Sequence, residues 1–248
     1  MKLTEKSRRR SAFTLVELLS VIAIIGVLAA ILIPSVGRMR KAAQASNCVT
    51  GLRQVGAAVL LFAGENKGRA PVPNGASSNG AGHWHVQIAP YFGVEFADGL
   101  TADQKKTVKV GRPAGCPLAP NYSSGSDIQG IGASYGWTAA PIVVGMPLLQ
   151  AGVVLNQIPN PGRTIMIGER WGKNPDGNRD TNWQVDPPYV TRPLNTDETD
   201  AGGAVSAVRV SHGGRANFLF FDGHVAAFKT EETYTSSNLS TGNLWRGL

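Results

Sequence analysis

The apolar residues near the N-terminus form one nearly unbroken block. Residues 13–33, 21 in all, are apolar except for Thr14, Glu17 and Ser20. A helix of this length is about 31 Å long, and the hydrocarbon core of a bilayer is about 30 Å thick. The pattern therefore predicts a transmembrane helix over residues 13–33, with one carboxylate among side chains that belong in lipid.

After Pro34 the apolar positions become periodic. They recur every three or four residues with polar side chains between them, which is typical of a helix with one apolar face. The recurring positions are Ala42, Ala45, Val49, Leu52, Val55 or Gly56, Val59, Leu60 and Ala63. We expect one helix over about residues 13–63, ended by Gly64, Asn66 and Gly68 and kinked at Pro34, because proline lacks a backbone donor. Its second half, residues 34–64, should pack on a globular domain.

The remaining residues, 65–248, indicate a β-rich domain. Within residues 216–229, Asp222-Gly223 separates two β-prone runs, which predicts a hairpin. The pattern also predicts strands within residues 132–139 and 162–171, a short strand or helix over 82–92, a strand beside the hairpin over 205–210, and an irregular excursion over 172–203. The predicted fold class is α+β, with the long helix packed on an antiparallel β-sheet that carries long loops.

The positive charge surrounds the apolar block. The chain carries a formal net charge of +7, of which residues 1–12 contribute +4 and residues 13–53 contribute +3. Residues 54–248 hold 15 basic and 15 acidic side chains, so this part has no net attraction for phosphate and nucleic-acid binding is not expected. Arg8, Arg9 and Arg10 precede the apolar block, and the positive-inside rule then predicts a cytoplasmic N-terminus and an exported C-terminal domain.

Two ordinary export signals fit part of this pattern. A secretory signal peptide would use the sequence LAA at residues 28–30 as its cleavage region. A twin-arginine signal would use Arg9 and Arg10, although Phe13 comes one residue late for that arrangement. Neither signal explains Glu17.

The string AFTLVELLSVIAIIGVLAAILIPS, residues 12–35, resembles the N-terminal motif of type IV prepilins and type II secretion pseudopilins. The resemblance implies that a prepilin peptidase removes the leader, residues 1–12, by cutting between Ala12 and Phe13, and that the new amino group of Phe13 is methylated. Ala12 departs from the family pattern, which has glycine there. The resemblance also places Pro34 in the middle of the long helix.

Glu17 becomes the fifth mature residue, and in this family it meets the N-terminal amine of a neighbouring subunit. Before assembly, a protein of this family is inserted in the inner membrane as a single-pass protein, with its globular domain in the periplasm. It assembles with other pilin or pseudopilin subunits through an inner-membrane platform. Its role is structural, so no enzyme activity and no cofactor are expected. The alternative is a membrane-anchored periplasmic binding or hydrolytic domain that uses a pilin-like anchor.

A second resemblance runs through most of the chain. In order, the chain shows NCVTGLRQVGAAVLLFAGENKGRAP, then tryptophan and APYF, then CP, SYGW and SHGGRANFLFFDGHV. This order resembles the large pseudopilin-like proteins of planctomycete and verrucomicrobial type, which end in a histidine, nine residues and Asp-Gly. His212 precedes Asp222-Gly223 with that spacing, and we expect it to pack or hydrogen-bond against the hairpin.

The two cysteines, Cys48 and Cys116, have a role that depends on the compartment. If the domain is exported, they can form a disulfide that joins the helix to the β domain. The closed loop is long, which corresponds to a stabilisation of about 3 to 4 kcal/mol. Free thiols are the alternative.

Three weaker patterns concern catalysis and metal binding. GASYG, residues 132–136, fits the G-x-S-x-G nucleophile motif around Ser134, but that motif needs a following helix. His83 and His85 could hold a metal together with His212 or His224. Asp176, Asn178 and Asp180 alternate oxygen ligands as a calcium loop does, without its glycine and final glutamate, so calcium is only a weak expectation.

Overall fold

The computed structural model describes residues 15–72, 83–94, 115–117, 135–138, 152–170, 184–185, 208, 212–233 and 244. Within these ranges the helices are α1 (Leu15–Glu65), α2 (Trp84–Gln87) and four short 3-10 turns, Ala89–Phe92, Leu155–Gln157, Pro161–Arg163 and Thr230–Thr233. The strands are β1 (Tyr135–Thr138), β2 (Ile165–Glu169), β3 (Gln184–Val185), β4 (Ala216–Phe220) and β5 (Val225–Phe228).

The predicted long helix is confirmed. Helix α1 continues through Pro34, whose expected kink stays a prediction. The helix ends where the glycine and asparagine signals were expected. The backbone N–H groups of Asn66 and Gly68 both donate to the carbonyl of Ala63, and Gly68 has a φ of 76°, which closes the last turn.

The chain divides into two compact units, Met1–Ala43 and Gln44–Leu248. In the first unit, the described part of α1 exposes its apolar side chains. In the second unit, α1 buries five of the positions expected from its periodicity, namely Leu52, Val55, Gly56, Val59 and Ala63. The expectation is wrong for Leu60, which is 40% exposed, and Cys48, which was not among the expected positions, is buried.

The sheet has the order β3-β1-β2-β4-β5. Strands β1, β2, β4 and β5 pair antiparallel with their neighbours, as predicted, and β4 and β5 form the expected hairpin. Strand β3 differs, because it runs parallel to β1 and lies within residues 172–203, where an irregular excursion was expected. The fold is α+β and pilin-like, with one long N-terminal helix and an antiparallel sheet.

Each face of the sheet covers its own apolar cluster. Strand β4 alternates, so that Leu219 belongs to the cluster formed with α1, and Phe218 and Phe220 belong to a second cluster. Val208 joins this second cluster, but its backbone forms a bridge with Arg170, directly after β2. Within the described residues it therefore pairs with the end of β2 and not with the hairpin, contrary to the expectation for residues 205–210.

Candidate functional site

The first candidate site is the apolar surface at the start of α1. Large side chains from Leu15 to Val36 are exposed around the whole helix, and Glu17 is the one charged residue in the sequence from 15 to 37. This is the one described helix that is long and apolar enough to cross a membrane, judged by length and composition. A helix that is apolar on every side requires lipid or other helices around it.

The hydroxyl groups in this segment are satisfied by the helix itself. The Oγ of Ser20 donates to the carbonyl of Glu17 at 2.9 Å, and the Oγ of Ser35 donates to the carbonyl of Leu32 at 2.8 Å. Local hydrogen bonds of this kind allow serine to enter an apolar environment at low cost. On the described apolar surface of α1, the carboxylate of Glu17 is therefore the most strongly polar group. Ala12 and Phe13, the residues of the expected cleavage site, lie outside the described residues.

The second candidate site lies inside the globular unit, where α1 meets the sheet. A disulfide joins Cys48 of α1 to Cys116, with a Cα–Cα distance of 4.4 Å. Both cysteines are buried. Next to them, the hydroxyl of Tyr135 in β1 donates to the carbonyl of Cys48 at 3.1 Å. The helix is thus fixed to the domain by a covalent bond and a buried hydrogen bond at the same residue.

Glu169, at the end of β2, is fully buried beside this disulfide. The backbone N–H of Asn217 donates to its Oε2 at 2.9 Å, and Nδ2 of Asn217 donates to its Oε1 at 3.3 Å. Nε2 of His212 lies 2.8 Å from the same Oε1. A buried carboxylate requires such donors, because its charge loses the solvation that water provides.

The side chain of His212 hydrogen-bonds at the end of β2, next to the hairpin strand β4. Its side chain contacts Glu169 of β2, while its backbone N–H donates to the carbonyl of Arg215. It is connected to the hairpin through Glu169, which also accepts hydrogen bonds from Asn217 of β4. Nine residues, which include strand β4, separate His212 from the Asp222-Gly223 turn in the sequence.

The turn has its own polar contacts. Oδ1 of Asp222 accepts hydrogen bonds from the backbone N–H of His224 at 3.1 Å and from its Nδ1 at 2.6 Å. The ring of His224 stacks on Phe220, with centroids 4.3 Å apart. Gly223 has a φ of 91°, a conformation that favours glycine, which explains the Asp-Gly sequence. These contacts fit a structural turn.

The described residues show neither a nucleophile elbow at Ser134 nor a metal site that contains His83 and His85. Strand β1 follows Ser134 directly, where a nucleophile elbow needs a helix. His83 is the N-cap residue of α2 and His85 lies within this helix; both are buried, with ring centroids 5.7 Å apart. The grouping of metal-ligating atoms found among the described residues contains His212 but neither of them. Asp176, Asn178 and Asp180 lie outside the described residues.

Sequence reasoning did not identify Glu169 or Asn217. The available signal was the charged pair Glu169-Arg170 at the end of an otherwise apolar run, since charged residues are rarely buried without partners. Arg170 is also buried.

The comparisons with known proteins concern the N-terminal segment. Residues 7–33 match the family model described as the prokaryotic N-terminal methylation motif. No curated protein and no solved structure gives a significant match to the chain. The motif match is consistent with a type IV pilin-like protein that is processed at its N-terminus.

Proposed function

We propose that this protein is a structural subunit of a type IV pilus-like filament or of a type II secretion pseudopilus. The observation that carries the proposal is the methylation motif over residues 7–33, whose residues from Leu15 onward form a helix that exposes apolar side chains on every side. A prepilin peptidase removes residues 1–12 and Phe13 is methylated. The protein catalyses no reaction of its own.

Before assembly the subunit lies in the inner membrane as a single-pass protein. The charge excess of residues 1–12 holds the N-terminus in the cytoplasm. The globular unit is then periplasmic, where a disulfide such as Cys48–Cys116 persists. Other pilin or pseudopilin subunits and an inner-membrane assembly platform are the partners.

Glu17 sets the register between neighbouring subunits. Apolar helices in lipid pack with little positional preference, so a charged contact within the apolar surface can determine how far one helix slides along another. Cleavage before Phe13 creates an α-amine four residues before Glu17. In a low dielectric, the carboxylate of one subunit and the amine of the next attract each other strongly. An isolated carboxylate would instead cost about 2.5 to 3.5 kcal/mol at the centre of the bilayer.

Replacement of Glu17 tests the assembly role. We expect Glu17→Ala to insert in the membrane and to be cleaved, but its recovery in sheared filaments should fall at least about tenfold, because the loss of one such charge pair exceeds about 1.4 kcal/mol. The measurement is the ratio of filament to membrane protein by immunoblotting. Ser20→Ala is the matched control, since it removes a polar group from the same surface without changing the charge.

Two outcomes would favour the alternative of a tethered periplasmic domain. Glu17→Ala could enter filaments as efficiently as the unmodified chain, or the unmodified chain could be absent from the sheared fraction while remaining in the membrane. Either result would contradict a filament subunit whose register depends on Glu17.

A further inference from the structure

Three basic side chains follow the apolar segment of α1. Arg38, Arg40 and Lys41 are all exposed, and Met39, which lies between them in the sequence, is 70% exposed. Because an α-helix has 3.6 residues per turn, Arg40 and Lys41 lie about 200° and about 300° around the helix from Arg38. The three charges therefore surround the helix, and we call these three residues the basic collar.

The basic collar lies at the depth of phospholipid headgroups. If residues 13–33 cross the hydrocarbon core, the Cα atoms of Arg38 and Lys41 lie about 7.5 Å and about 12 Å beyond it. The headgroup layer is about 5 to 7 Å thick on each side of a bilayer. Helical side chains point towards the N-terminus of their helix, which is here the direction of the membrane. Long basic side chains with this direction bring their charged groups to the lipid phosphates.

The positive charge of the collar is not matched within the chain. The sequence contains no aspartate or glutamate between Glu17 and Glu65, and none of the three collar residues forms an ion pair with another residue that the structure describes. A second copy of the chain offers no net attraction, because residues 54–248 hold 15 basic and 15 acidic side chains. The collar is therefore complementary to a negative surface outside the chain.

We propose that the basic collar binds the headgroups of anionic phospholipids in the periplasmic leaflet of the inner membrane. Anionic lipids attract basic residues that lie next to a membrane helix, and arginine can donate two parallel hydrogen bonds to one phosphate. Basic residues beside such helices are normally concentrated on the cytoplasmic side, so three on the exported side point to a partner there. Bound headgroups fix the depth of α1 in the membrane, and thereby the depth of Glu17. This inference rests on the proposed insertion of α1 in a membrane, but not on filament assembly.

The test measures the lipid selectivity of the full chain in phosphatidylcholine vesicles. The vesicles contain a trace of spin-labelled phosphatidylglycerol or of spin-labelled phosphatidylcholine, and electron paramagnetic resonance gives the fraction of each labelled lipid that is held at the protein. We expect phosphatidylglycerol to associate at least about threefold more strongly than phosphatidylcholine at low salt. This preference should decrease as the salt concentration rises, because salt screens exposed charges.

Two variants separate the two sides of the membrane, since the leader also carries arginines. The leader variant has glutamine in place of the three arginines at residues 8–10. The combined variant adds Arg38→Gln, Arg40→Gln and Lys41→Gln, all at exposed positions. We expect the added collar substitutions to lower the preference for phosphatidylglycerol at least about twofold relative to the leader variant.

Equal preferences of the leader variant and the combined variant would overturn the proposal. A preference that disappears when the protein is diluted in lipid would also overturn it, because the collar would then contact neighbouring subunits. Flotation of the vesicles after an alkaline carbonate wash reports insertion. A chain that carbonate extracts would contradict membrane insertion, and with it the lipid contact. An inserted, unmodified chain without any preference for phosphatidylglycerol would overturn the lipid contact alone, and this comparison needs no substitution.

Discussion

Asp222 is the carboxyl group whose titration can be related directly to its contacts. Burial raises its pKa, but the backbone and side-chain hydrogen bonds from His224, together with the charge of His224, outweigh burial and hold the pKa of Asp222 below its ordinary value of 3.8. A carboxyl group with a lowered pKa in the folded state stabilises the fold at pH values above its unfolded pKa. That stabilisation disappears as the pH falls through the lowered pKa.

We therefore expect Asp222→Asn to lower the unfolding temperature near neutral pH, and to lower it less near about pH 2, where both proteins are uncharged at this position. The side chains of Asp222 and His224 are 40% and 44% exposed, so solvent screening limits the effect to less than about 1 kcal/mol. Thermal unfolding of both proteins at the two pH values is the measurement. A temperature difference that does not change with pH would show that the charge of Asp222 is unimportant.

Single residues differ in how well their structural roles can be predicted from the sequence. The Asp222-Gly223 turn is predictable because its requirement is local: a residue with positive φ between two adjacent strands. The contact of Glu169 with His212 joins residues 43 positions apart, and it depends on the register of β2 against β4. No local pattern encodes that register, so the buried cluster becomes visible only in three dimensions.

At the scale of elements, Gly56 allows α1 to lie close to β4. A Cβ atom at Gly56 would be 2.8 Å from Cδ1 of Leu219, and Leu219 is fully buried. Gly64, on the same helix, would place no atom within 4 Å of a Cβ. The two glycines have the same helical backbone and different surroundings, so they form a matched pair.

We expect Gly56→Val to destabilise the globular unit more than Gly64→Val does, by about 1 to 3 kcal/mol, because only the first overfills the core. Both variants carry the same glycine-to-valine change within α1, so the comparison reports mainly the difference in packing. Chemical denaturation of the full chain in detergent measures the difference. Equal free energies of unfolding would show that α1 is not packed against Leu219.

The elements that the sequence predicted share strong periodicity or strong turn signals. Helix α1 and the β4–β5 hairpin belong to this group. Strand β3 has only two residues, and it is a strand because it pairs with β1, so its own sequence carries little information. Helix α2 has only four residues, and residues 82–92 fitted a strand or a helix equally well.

At the scale of the whole molecule, the two units differ in the exposure of their apolar side chains. The first unit exposes apolar side chains around its helix, whereas the second buries them in two clusters on the two faces of the sheet. The sequence predicted this division because a block of continuous apolar residues is followed by a periodic pattern. The proposed function rests mainly on the first unit, since the family match covers residues 7–33.

The state of the mature N-terminus tests the central claim most directly. Intact-mass and N-terminal peptide mass spectrometry should be carried out on protein extracted from membranes of cells that contain a prepilin peptidase. We expect the chain to begin at Phe13 with a methylated α-amine. A chain that retains residues 1–12, or one that begins after Ala30, would contradict processing as a pilin-like subunit.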